Sequence, residues 1–306
     1  MCRLLIVPLF WLSFVVHSAE FQLGLLNNSY DKAETVLREV RLIKKHFGIT
    51  KKPYPKVIKT RLLTRHTRAR AYELYAKLNI LRVKNNLGII EPPNMEPTTE
   101  LNPIYTYAQL DRLLAEIGIL KLHLGIKEKV LPVEQTSSRT ATDSYNLLGL
   151  ISAELDTING EAFTPSHVFA EAMRIYEDLD AILLRLGIDD STTPPRKRVD
   201  DKPIDTYKIA IKQLNAIKSI QAGIGMTSID YFAFERQDVT PSDVYEITQI
   251  ILSEIQVIKA YIGLNHEITR GAKYYTGKMP SDVSQLMRWL YKKIRLINLQ
   301  RITEGN

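Results

Sequence analysis

The sequence predicts an all-α protein of about eight repeated helices, each about 22 residues long. Three observations predict it: a frame that recurs about every 38 residues, an apolar stripe at helical spacing in each unit, and shared signals at the unit ends. The frame is set by Tyr30, Tyr107, Tyr145, Phe169, Tyr207 and Tyr245, with Arg70 and Ser284 in the same slot of two further units. In chain order these anchors are 40, 37, 38, 24, 38, 38 and 39 residues apart. Only one step is short.

Ten and thirteen places after each anchor stand aliphatic residues: Val40 and Ile43, Ile80 and Val83, Ile117 and Leu120, Leu155 and Ile158. Leu179 and Ile182, Ile217 and Ile220, Ile255 and Ile258, and Ile294 and Ile297 continue the series. In the unit after Pro241 the stripe reads Val244, Ile247, Ile251, Ile255, Ile258 and Ile262, the three-and-four stagger that keeps one helix face apolar. A strand would need a period of two.

The ends carry helix punctuation. Asn102-Pro103, Thr164-Pro165 and Thr240-Pro241 each offer a capping oxygen and then a proline whose missing N–H costs nothing in the first turn. Asp243, three residues after Thr240, completes a capping-box pattern and suits the positive end of the helix dipole. Eighteen residues past the anchors lie Gly48, Gly88, Gly125, Gly187, Gly225 and Gly263, placed to close each helix in the left-handed conformation.

The short step divides the chain into two four-helix modules, residues 20–160 and 161–306. The connection Gly160-Glu161-Ala162-Phe163 leaves room for a tight turn, so its two helices run antiparallel. Other connectors, such as 90–102 and 189–202, are long enough to run back along a helix of roughly 33 Å, which allows parallel neighbours. A continuous helical solenoid is the alternative architecture.

Residues 1–19 precede the repeat. Arg3, an apolar run from Leu4 to Val16 and the small-residue exit His17-Ser18-Ala19 read as a cleaved secretory signal peptide, too short for a spanning helix of about 20 apolar residues. The mature chain is therefore expected to be exported, to the periplasm or outside the cell, and not to span a membrane. The one cysteine, Cys2, falls in the leader, so no disulfide framework and no thiol nucleophile are expected.

An acid nine places after the anchor (Glu39, Glu116, Glu154, Asp178, Glu254) and a lysine fourteen places after it (Lys44, Lys84, Lys121, Lys259) flank the stripe, as ion pairs that order bundled helices do. Catalytic and cofactor motifs do not emerge. Gly271–Lys278 has phosphate-loop spacing but places Met279 where a hydroxyl is needed, and no strand pattern precedes it. His46, His66, His123, His167 and His266 form no metal-binding pair, so no cofactor or metal is expected and the chain reads as non-enzymatic. Asn27-Asn28-Ser29 matches a glycosylation acceptor.

Charge is the feature that points to a partner. The chain carries a net +7, yet from Arg41 to Lys84 fourteen lysines and arginines face the single acid Glu73. Within this stretch Lys51, Lys52, Lys56, Lys59, Arg61, Arg65, Arg68 and Arg70 form the candidate surface for an acidic protein, an anionic polymer or an anionic membrane surface. Export argues against nucleic acid. The functional expectation is a secreted or periplasmic helical-repeat scaffold or adaptor for protein binding. The alternative is a carrier or sensor holding a small ligand between helices, with Gln109, Gln213 and Tyr72 as polar lining.

Overall fold

The computed structural model describes residues 9–99, 102–131, 133, 138–160, 163–230 and 237–297, with side chains from residue 26 onward. Residues 1–8 of the expected leader, Glu161 and Ala162 of the expected tight turn, and 298–306 lie outside the described residues. The described chain is all-helical: α1 (Leu9–His46), α2 (Thr64–Lys84), α3 (Ile104–His123), α4 (Ala141–Asn159), α5 (Pro165–Arg185), α6 (Pro203–Gly223), α7 (Pro241–Tyr261) and α8 (Pro280–Leu296). Among these residues the only β-type pairing is an isolated bridge between Met95 and Thr269.

The contacts group the helices four and four. α1 and α2 each pack on both α3 and α4, whereas α5 and α6 each pack on both α7 and α8; α2 against α7 joins the groups. The first and second helices of each group are therefore diagonal, as are the third and fourth. A solenoid, in which each unit meets its chain neighbours, does not have this pattern. One apolar cluster, including Val36, Val40, Leu78, Leu113, Ile117 and Leu148, fills the first group; another, including Ile175, Leu179, Leu214, Ile251, Ile255 and Leu290, fills the second.

Within each group all four helices point the same way. In the second, the first-turn prolines Pro165, Pro203, Pro241 and Pro280 meet around one small apolar recess with Val168, Thr206, Val244 and Val283. In the first, the starts of α2, α3 and α4 gather around the middle of α1: Ser29 Oγ donates to Pro103 O at 3.1 Å, Thr67 and Thr106 hydroxyls lie 3.1 Å apart, and Arg139 N donates to Asn27 Oδ1 at 2.8 Å. Asn27, the glycosylation-motif asparagine, is thus helical and engaged. Parallel packing requires each connector to return along a whole helix, which accounts for their length. It also aligns helix dipoles at a cost. Asp143, Asp205, Asp243 and Asp282 offset part of that cost at the N-termini, each accepting from the N–H of the residue three places before it.

The charged columns close these parallel bundles. Lys44 on α1 reaches Glu154 on α4 at 2.6 Å, Asn159 on α4 donates to Lys77 O on α2 at 3.0 Å, Arg82 on α2 lies 3.1 Å from Glu116 on α3, and Lys121 on α3 pairs with Glu39 on α1. These four links form a ring. In the second group Gln221 bonds Glu254, and Lys259 reaches Asp178 at 2.6 Å. Each donor stands fourteen residues after its anchor, with α2 counted from Arg68 instead of Arg70, and each acid accepts nine after its own. Both columns lie in the C-terminal halves, so they meet only between parallel helices.

The second unit corrects the sequence register. α2 begins after Leu63 and closes at Asn85, five residues before and seventeen after Arg68, the offsets that other units show from their anchors. Arg68, not Arg70, is its anchor. Leu78 and Leu81 then fill the buried stripe, while Val83 is exposed. The left-handed closing residue is Asn86 (φ 59°), not Gly88, because asparagine tolerates that conformation better than other side-chain-bearing residues.

Candidate functional site: a basic strap over a polar cleft

The connector between α1 and α2 forms a strap across the junction of the two groups. Its middle is pinned by Asn146 on α4, which accepts from Ile58 N and donates to Ile58 O, both at 2.9 Å. Leu62 N donates to Thr142 Oγ1 at 2.9 Å, and Ile58 and Leu62 are buried. On the far side Lys56 Nζ holds both carboxylate oxygens of Asp243, at the start of α7, at 2.8 Å.

The eight sequence-predicted cations separate into two sets. Lys51, Lys52, Lys59 and Arg61 are exposed and form no ion pair with a described residue. Lys56 is tied to Asp243. Arg65 and Arg68 are buried, and Arg70 is nearly so. These three are not available as a docking surface, because acids distant in sequence fold against them or aromatic rings cover them. Arg65 Nε donates to Glu254 at 2.9 Å, Arg70 pairs with Glu73 and lies 3.3 Å from Glu246, and Arg68 sits over the rings of Tyr72 and Tyr105.

Along this seam α2 and α7 run antiparallel, since the start of α2 meets Glu254 and its middle meets Glu246. Glu254 is completely buried and accepts from Arg65, His66 and Gln221; His66 Nε2 lies 2.5 Å away. Burial pushes the Glu254 carboxyl up, but its bonds to His66 and the charge of Arg65 outweigh it and bring it to about 2. Burial holds the His66 imidazole below its ordinary value. Its Nδ1 accepts from Leu63 N, so the neutral ring presents an Nε2 proton to Glu254.

Beneath the strap, α2, α4 and the N-terminus of α7 enclose a cleft of about 200 Å³. Tyr54 and Lys56 stand at its mouth, and Arg70, Glu73, Lys77, Ser152, Asp156 and Glu246 line its walls. Lys77 bonds Asp156 at 2.6 Å and Ser152 Oγ at 2.7 Å and lies 3.1 Å from Glu73; Ser152 donates to Glu73 at 2.6 Å. Tyr145 donates to Glu246 at 2.6 Å, and burial followed by that carboxylate raises its hydroxyl well above the usual range. Burial also raises the Asp156 carboxyl, with Lys77 opposing.

The residues expected to line an interhelical pocket, Gln109, Gln213 and Tyr72, are buried and do not line the cleft beneath the strap. Gln213 donates to Met287 O at 2.6 Å, Tyr72 to Asn94 O at 2.6 Å, and the carbonyl of Gln109 accepts from Tyr75. The cleft residues Glu73, Lys77, Asp156 and Glu246 were not singled out as site residues from the sequence. Their one signal is Lys77, a cation at the acid-column position once α2 is counted from Arg68. Gly271–Lys278 is irregular backbone before α8, with Lys273 paired to Glu177. Among the described residues no group of His, Cys, Asp and Glu could hold a metal ion, and no helix is long and apolar enough to cross a membrane. No family model, no curated protein and no solved structure matches the chain.

Proposed function

We propose that the protein is a non-enzymatic exported scaffold or adaptor that docks onto an anionic surface through the strap cations Lys51, Lys52, Lys59 and Arg61. The observation that supports this reading is the division of the basic stretch. Arg65 and Arg70 are neutralised inside the fold, whereas these four stay in solvent and form no ion pair with a described residue, and Lys59 and Arg61 lie on the stretch pinned at Lys56, Ile58 and Leu62. A pinned segment loses little further entropy on docking, which favours retaining its charges for a partner. Their exposure makes the attraction sensitive to salt, because screening acts over about 8–10 Å at physiological ionic strength.

Charge reversal tests it. The variant Lys51→Glu, Lys52→Glu, Lys59→Glu and Arg61→Glu should lose sedimentation with vesicles rich in phosphatidylserine while keeping its helical circular dichroism and Tm. Undiminished sedimentation would remove the strap from the functional account.

A further inference from the structure

We propose that the anionic surface met by the strap is a lipid bilayer, and that Tyr54 and Val57 enter its interfacial layer while the strap cations hold the headgroups. The inference rests on the docking reading above and names the partner of that same surface. The make-up of the strap's outward edge carries it. Ile58 and Leu62 are buried, and between them Thr60 is half-buried, its carbonyl accepting from Thr142 Oγ1 at 3.2 Å. The residues that alternate with these, Val57, Lys59 and Arg61, are exposed. Earlier on the connector, Lys51, Lys52 and Tyr54 are exposed as well.

Tyr54 is 82% exposed and Val57 is 64% exposed. One exposed apolar side chain is ordinary on a protein surface. Two bulky ones set among four exposed cations make a mixed surface, the composition of segments that lie in a bilayer interface. Both are held in place before any partner arrives. Tyr54 stands between Pro53 and Pro55, and the following proline keeps it extended, so little backbone freedom is left to lose on docking. Val57 is fixed between Lys56, which holds Asp243, and Ile58, which is bonded twice to Asn146.

A bilayer uses both kinds of side chain. Anionic headgroups draw each nearby lysine or arginine with a gain of about fivefold in partitioning. The same interface accommodates the apolar ring and the polar hydroxyl of a tyrosine together. A flexible acidic polymer would take up the charges but leave Tyr54 and Val57 in water. An acidic protein would need recesses shaped to both side chains, whereas a fluid bilayer closes around them without a prior fit.

The test uses the full chain, with vesicles of phosphatidylcholine alone or of equal parts phosphatidylcholine and phosphatidylserine. The neutral vesicles give the blank for the apolar leader. Tyr54→Ser combined with Val57→Ser should weaken sedimentation with the mixed vesicles about tenfold. It should keep the wild-type Tm, since both side chains are exposed, and leave retention on immobilised polyglutamate unchanged. In a Cys2→Ser background, a nitrobenzoxadiazole label attached at Val57→Cys should brighten on the mixed vesicles and be quenched by brominated lipid. The charge-reversed strap variant separates the two readings. If it sediments like wild type, docking fails and this inference fails with it. If it loses sedimentation but the double serine variant still binds mixed vesicles as wild type does, or the label stays unquenched, docking stands and bilayer entry is overturned. A tenfold loss of the serine variant on polyglutamate as well would assign the surface to an acidic protein instead.

Discussion

Lys44 Nζ on α1 and Glu154 Oε2 on α4 lie 2.6 Å apart, one link of the ring that closes the first bundle. Glu154 is 3% exposed and also takes Arg41 at 3.0 Å. Glu154→Ala should therefore cost about 3 kcal/mol, because it leaves a mostly buried ammonium without its counter-charge. Glu34→Ala, which removes only a 3.5 Å pair with partly exposed Arg38, should cost less than about 0.5 kcal/mol. Urea denaturation of the two variants measures both values, and equal losses would contradict the ring.

Acid should weaken the α2–α7 seam in two stages. His66 has a lowered folded pKa, so the unfolded chain takes up the proton first and stability falls as pH drops through about 6.5. His167, also lowered by burial, adds with the same sign. Glu254 contributes stability that is whole above about 4.5 and lost as pH falls toward 2, about 3 kcal/mol for a shift of that size. In Tm measured from pH 8 to pH 3, His66→Gln should shrink the upper stage and Glu254→Gln should remove the lower one.

The closing residue of α2 gives a backbone test. Asn86→Gly should be neutral or slightly stabilising, whereas Asn86→Ala should cost about 1 kcal/mol for holding a Cβ at positive φ. Gly88→Ala should be close to neutral, since no atom lies within 4 Å of the added Cβ and the φ of Gly88 is not positive. Thermal melts of the three variants decide between the two registers.

Most of the fold was readable because it repeats. Stripe residues such as Ile255 and Leu179, the Thr240–Asp243 cap and the Lys44 and Glu154 columns each recur, so local rules fix them. The α2 register was not readable: Arg68 and Arg70 compete for an anchor slot aromatic in most units, and Gly88 imitates a closing glycine that Asn86 supplies. The strap was half readable. Counting charge along the chain finds Arg65 and Arg70, but their neutralisation depends on Glu254 and Glu246, more than 170 residues away, which meet α2 only once the two bundles pack. Glu254 shows the same limit, since a column position read as an edge charge is fully buried.

The measurement closest to the central claim, that all four helices of a bundle run parallel, is a pair of spin-label distances. With Cys2, the only native cysteine, replaced by serine, labels are placed at Lys202 and Met279, the exposed caps before α6 and α8, or at Lys202 and Arg295, in the last turn of α8. Adjacent helices lie about 8–10 Å apart and α8 is about 25 Å long, so the parallel bundle gives a short distance, under about 20 Å, for Lys202 with Met279. The Lys202 and Arg295 pair should then be clearly longer. A long distance for the first pair and a short one for the second would mean antiparallel packing and would contradict the account.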